Sequence, residues 1–160
     1  MIYCVEDDAG IRELVVYTLR NTGFEADGFE DGAALTAALK KCKPQLILLD
    51  IMLPDEDGYQ ILAKLRADPT CAATPVIMVT AKTSEIDVVK GLDHGADDYL
   101  CKPFGIMEFI SRVKAVLRRA AAAAPAPAPK LLQFGGIVID DVARTVKADG
   151  VPVELTFKEY

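Results

Sequence analysis

Two short stretches decide how this chain folds: Leu46-Ile47-Leu48-Leu49, closed by Asp50, and Val76-Ile77-Met78-Val79, followed by Thr80. Each is a near-continuous apolar run, whereas a strand with one wet face alternates apolar and polar side chains. Runs of this kind fit strands covered on both faces, as in a parallel sheet between helices. Outward from them, Ile2–Val5, Phe24–Phe29 and Tyr99–Cys101 read as further strands. Between them stand apolar residues at helical spacing: Ile11/Leu14/Val15/Leu19, Leu35/Ala38/Leu39, Ile61/Leu62/Leu65, Ile86/Val89/Leu92 and Ile106/Ile110/Val113/Leu117. Five strands alternating with five helices predict an α/β, doubly wound parallel sheet. In such folds ligands gather at the carboxyl ends of the strands.

Ala120 to Pro129, AAAAAPAPAP, carries no charge and three alternating prolines, so an extended linker is expected there. It divides the chain into a domain at 1–119, a linker at 120–129 and a second part at 130–160. That part holds short strand candidates (LLQF, GIVI, ARTVK, VPVEL), with Asp149-Gly150 as a hairpin signal. Thr156-Phe157-Lys158-Glu159 matches a capping box, which announces a helix just where the sequence stops. The second part is therefore expected to be an incomplete antiparallel β segment of a longer protein.

Composition narrows the function. With 51% hydrophobic residues, the 160-residue chain can bury a full core. Its formal charge is -6, and basic residues are outnumbered on both sides of the linker, which disfavours sequence-independent nucleic-acid binding. The longest apolar run is broken by Asp50, and Glu6, Asp7 and Asp8 fall where a signal peptide would be apolar; no membrane span and a cytoplasmic location are expected. Cys4, Cys42, Cys71 and Cys101 form no C-x-x-C pair and read as free thiols.

The chemistry lies at the strand ends. Glu6, Asp7 and Asp8 follow the first strand, Asp50 closes the third, Thr80 follows the fourth and Lys102 the fifth. Asp8 suits the start of the next helix, leaving Glu6, Asp7 and Asp50 to converge. Asp50 is embedded in apolar neighbours, so it needs a cation or hydrogen-bond donors to stay ionised. Lys102 is one candidate and a divalent metal another, since three carboxylates and one lysine leave two negative charges. A carboxylate nucleophile, a metal, a lysine and a hydroxyl together suit attack on a phosphoryl group.

VEDD (5–8), LLDIMLPDEDG (48–58), VTAK (79–82) and GADDYLCKPF (95–104) stand in the order and spacing of bacterial response regulators. The chain resembles an OmpR/PhoB-type member: a receiver domain at 1–119, then the opening of a winged-helix DNA-binding domain. The resemblance implies a flavodoxin-like sheet of order 2-1-3-4-5, and a cis bond before Pro103. It makes Asp50 the phosphoacceptor and Asp7 a direct ligand of Mg²⁺ (or Mn²⁺), with Glu6 acting on the metal mainly through water. Met52 would lend its backbone carbonyl, Thr80 would grip the phosphoryl group, Lys102 would pair with it, and Tyr99 would be the aromatic switch.

As partners the resemblance implies a sensor histidine kinase, a homodimer formed on phosphorylation, and promoter DNA for the full-length protein but not for residues 1–160. The family's intersubunit ion pairs map onto Asp98 with Arg112 and Asp97 with Arg119; Glu108 would need a basic residue near position 88, where this chain has Val88.

Two other functions are weighed. An Mg²⁺-dependent phosphohydrolase working through an aspartyl-phosphate would want an acid two residues past the nucleophile, where Met52 stands. A flavodoxin-like redox carrier would find Glu6-Asp7-Asp8 repelling its phosphate. Asp57 reads as a helix N-cap rather than a calcium ligand, His94 as an exposed loop residue, and Arg118-Arg119 as a basic helix end.

Overall fold

A computed structural model describes residues 1–81 and 95–123, and the backbone of 131–134, 137–140, 145–148 and 151–153. The helical pattern at 86–92, Val88, His94 and the capping box at 156–159 lie outside the described residues. The chain divides into two compact units, Met1–Ala122 and Ala123–Tyr160.

In the first unit the elements run β1 (Ile2–Val5), α1 (Ala9–Asn21), β2 (Ala26–Phe29), α2 (Gly32–Leu39), β3 (Leu46–Asp50), α3 (Gly58–Ala67), β4 (Val76–Thr80), β5 (Asp98–Cys101) and α4 (Ile106–Ala123). The sheet has the order β2-β1-β3-β4-β5, and all its pairings are parallel. Both apolar runs that opened the sequence reading are strands over their whole length, and every residue of each is buried.

Strand periodicity sorts these side chains into two layers. Ile2, Cys4, Leu46, Leu48, Ile77, Val79 and Leu100 pack against Val15 and Leu19 of α1 and Phe109 and Val113 of α4. The alternate positions, Tyr3, Val5, Ile47, Leu49, Val76, Met78 and Tyr99, pack against Leu35 of α2 and Ile61, Leu62 and Leu65 of α3. Along β1, β3 and β4 neither face is left to water, which is why these strands need no polar alternation. Asp8, Asp31 and Asp57 cap α1, α2 and α3 by accepting from Ile11, Ala34 and Tyr59 N–H at 2.9, 2.7 and 2.8 Å.

Two boundaries differ from the sequence reading. The second strand begins at Ala26 rather than Phe24, because Gly23 turns the chain with φ 92° and Phe24 N–H still bonds to Leu19 at the end of α1. Helix α4 continues to Ala123, four residues into the stretch expected to be extended. Alanine is the strongest helix former and the first proline is Pro125, so the run Ala120–Ala123 prolongs the helix. The second unit is an antiparallel meander, β6 (Leu131–Phe134), β7 (Ile137–Asp140), β8 (Thr145–Ala148) and β9 (Val151–Val153), paired in sequence order.

Candidate functional site

Register brings the expected residues together. Val5 pairs with Leu49 and Asp50 with Val79, so β1, β3 and β4 end level, with Glu6 beside Asp50. Thr80 pairs with Cys101, and its carbonyl accepts Lys102 N–H at 2.6 Å, which carries the lysine just past the rim. The Lys102–Pro103 bond is cis.

Lys102 Nζ donates to Glu6 Oε2 and to Asp50 Oδ2, both at 2.6 Å. The carboxylates' side chains are only 4% and 5% exposed and that of the lysine 17%, so this charge set is withdrawn from water. Asp50 Oδ1 accepts Met52 N–H at 3.0 Å, which fixes the carboxylate at both oxygens. Glu6, Asp7 and Asp50 each present an oxygen within 4.8 Å of the others, and Asp7 reaches solvent. Arg12 secures the loop that carries the acids, its Nη1 donating to the carbonyls of Glu6 at 2.6 Å and Asp7 at 3.2 Å.

Burial pushes the Glu6 carboxyl above its usual range; the Lys102 hydrogen bond opposes this and the neighbouring Asp50 charge adds to it. Burial works against the charge on Lys102, but its bonds to Asp50 and Glu6 outweigh that and hold its pKa above the ordinary value. Among the described residues, one lysine thus binds two members of a cluster of three acids. Hard oxygen donors, one solvent-facing, with negative charge in excess of the single lysine, are the donor set a small divalent cation prefers, so the residues present fit such an ion. A cleft of about 490 Å³ opens beside them, lined by Asp7, Met52, Pro54 and Asp55 among others.

Thr80 is fully buried at the end of β4. Tyr99 is 7% exposed, and its hydroxyl lies 3.2 Å from that of Tyr59 on α3. The residues that the resemblance assigns to pairing between subunits have partners within the chain. Arg112 binds Asp98 Oδ1 at 3.2 Å and Glu108 Oε1 at 3.0 Å. Asp97 Oδ2 takes Arg66 Nη2 at 3.0 Å and Val76 N–H at 2.8 Å, while Arg119 donates to the carbonyls of Ala115 at 3.4 Å and Asp97 at 3.5 Å.

Sequence reasoning missed Arg12, Tyr59 and Arg66. Arg66 donates to the carbonyls of Ala72, Thr74 and Gly95 as well as to Asp97, tying α3 to the approaches of β4 and β5. Backbone acceptors leave no mark on a sequence, so no charge pattern pointed to these residues.

Comparison with known proteins agrees with this geometry. The response regulator receiver domain family matches residues 2–114. The phosphate regulon transcriptional regulatory protein PhoB of Pseudomonas aeruginosa is 38% identical over 159 residues, covering 99% of this chain and 68% of that protein. The DNA-binding response regulator MtrA of Mycobacterium tuberculosis is 40% identical, covering 99% and 67%. Among solved structures, Vibrio cholerae CheY4 superposes with a TM-score of 0.68 at 28% identity, over 72% of this chain and 96% of its own. The response regulator DrrB, a Thermotoga maritima OmpR/PhoB homologue, gives 0.66 at 31% identity over 98% and 67%. Likeness that begins at β1 and runs through the second unit at this level of identity means that the chain belongs to the response regulators of two-component systems, with a receiver domain at its start and OmpR/PhoB-type transcription regulators as its relatives.

Proposed function

We propose that Asp50 is the phosphoacceptor of this receiver domain, and that the chain switches between unphosphorylated and phosphorylated states rather than turning over a substrate. The observation that carries the reading is the pair of 2.6 Å contacts from one lysine to two buried carboxylates. An Asp50 oxygen attacks phosphorus, the bond from phosphorus to the donor's nitrogen or oxygen breaks, and the leaving group departs with its electron pair. Met52 N–H and Lys102 keep the carboxylate oriented, and Lys102 then neutralises charge on the transferred group. Asp7 and Asp50, helped by Glu6 and the Met52 carbonyl, would hold Mg²⁺, which supplies charge neutralisation at the phosphoryl oxygens. Thr80 would then bond the new phosphoryl group, with Tyr99 following it.

The donor in the cell is a sensor histidine kinase, which places the reaction in the cytoplasm. Exposed Met52, Ile106 and Met107 follow the strand ends that bear Asp50 and Lys102, offering apolar contacts to a docking protein. Phosphorylation promotes a homodimer through the surface bearing Asp97, Asp98, Glu108, Arg112 and Arg119. Because Arg112 and Asp97 already have partners within the chain, pairing across the interface exchanges bonds rather than adding them, and the dimer is weak and sensitive to salt. Residues 1–119 act as the receiver, and 130–160 as the opening of a winged-helix domain that in the full-length protein binds promoter DNA.

Intact-mass analysis with acetyl phosphate and Mg²⁺ tests the assignment. One phosphoryl group is expected on the native chain and none on Asp50→Asn; equal incorporation in both would overturn it.

A further inference from the structure

Tyr99 stands on β5 with its ring among the residues packed against α3, 7% exposed. A tyrosine so buried needs a partner for its hydroxyl, and Tyr59 OH lies 3.2 Å away. Tyr59 occupies the first turn of α3, a turn built directly on Asp50. Gly58 N–H donates to the Ile51 carbonyl at 2.9 Å, and Tyr59 N–H to Asp57 Oδ1 at 2.8 Å. The approach is so close that a Cβ on Gly58 would lie 2.8 Å from Ile51 Cα and 3.0 Å from the Asp50 carbonyl carbon. The main chain at Asp50 and Ile51 is thus in direct contact with Gly58, the residue before Tyr59.

We propose that Tyr59 is a positioning residue that holds the Tyr99 ring inward and couples it to the Asp50 backbone through α3, a route separate from Thr80. The inference rests on the reading of Asp50 as phosphoacceptor and Tyr99 as switch. It adds that the inward state is secured by a hydroxyl pair from a neighbouring helix, so the ring responds to the β3–α3 loop as well as to the end of β4. A hydrogen bond between hydroxyls is replaceable without loss of shape, which makes Tyr59→Phe a clean probe.

The test labels the full chain with 3-fluorotyrosine. The five tyrosine resonances are assigned by single Tyr→Phe changes and followed by fluorine NMR before and after treatment with acetyl phosphate and Mg²⁺. In the native chain the Tyr59 and Tyr99 resonances are expected to shift together on phosphorylation. In Tyr59→Phe the solvent-isotope shift at Tyr99 should at least double and its phosphorylation-linked shift fall at least three-fold, while phosphate incorporation at Asp50 proceeds as in the native chain. A role confined to packing would alter the urea midpoint and leave both Tyr99 signals unchanged, and that result would overturn the proposal. Failure of the native chain to take up phosphate would instead overturn the reading of Asp50, and the coupling with it.

Discussion

Replacing Lys102 with methionine keeps most of the side chain's volume and removes the cation that, among the described residues, both buried acids share. At 2.6 Å and an effective dielectric constant near 20, each contact represents a gross attraction of about 6 kcal/mol, much of which offsets the cost of drying three charged groups. Once the lysine is gone the drying cost of Glu6 and Asp50 remains, and removal of one partner from a buried pair costs about 3–5 kcal/mol. For a unit of this size that is a fall in Tm of roughly 12 °C or more. Thermal unfolding followed by circular dichroism in a chelating buffer measures it.

Two features distinguish this from ordinary packing damage. The Glu6 pKa is already raised in the fold, so its charge penalty is absent below the unfolded value near 4.5 and grows as pH rises through the folded value. Without Lys102 the penalty is larger, and the gap between native and variant must narrow as pH falls towards 4.5. Mg²⁺ must also recover part of the loss, because it replaces the missing positive charge. A fall of less than about 1 kcal/mol in chelator, or a gap independent of pH and of Mg²⁺, would refute the account of the site as a charge cluster held by one lysine.

Other outcomes follow from the same geometry. Gly58→Ala sets a methyl group against main-chain atoms that cannot yield, so α3 must lift from Asp50; a loss of about 1–3 kcal/mol in urea unfolding is expected, with slower uptake of phosphate from acetyl phosphate. The raised pKa of Lys102 contributes stability that is complete below the unfolded value of 10.5 and is lost as pH rises through the folded value. Tyr3 shares that sign, so the native-minus-Lys102→Met difference in stability should shrink above pH 10.5, as alkaline unfolding curves will register. Residues 1–160 should show no sequence-specific promoter binding in a gel shift at physiological salt, and specific binding there would place base recognition within these residues.

The sheet was legible because burial on both faces leaves a direct trace: unbroken apolar runs at 46–49 and 76–79, each closed by a residue that the fold then uses. The meeting of Glu6, Asp50 and Lys102 was legible for the same reason, since parallel strands end on one rim. What escaped depends on atoms that a sequence does not display. Arg12 and Arg66 act on carbonyl oxygens, and Tyr59 meets a hydroxyl forty residues away in the chain. Ala120–Ala123 departs from the expected extended linker because a proline disfavours the helical conformation at the residue directly before it, which leaves these alanines, ahead of Pro125, able to prolong α4. Asp97, which family resemblance assigns to pairing between subunits, also takes Arg66 and the Val76 N–H at the start of β4 within the chain, contacts that no charge pattern announced.

The lysine contact to Glu6 joins residues 96 positions apart, from the first strand to just past the last, across a sheet in which β3 and β4 lie between them. The order of synthesis therefore runs against the order of charge balance. The acids are made first, and their counter-ion comes only after all five strands of that sheet have been laid down. A growing chain that closed β1, β3 and β4 before residue 102 appeared would bury acids with no cation, so the cheaper course is to leave those strands ajar until β5 arrives. Folding and chemical competence are thus expected late and together, and pulsed proteolysis of chains shortened to successive lengths should find resistance only in chains that include both Lys102 and the core face of α4.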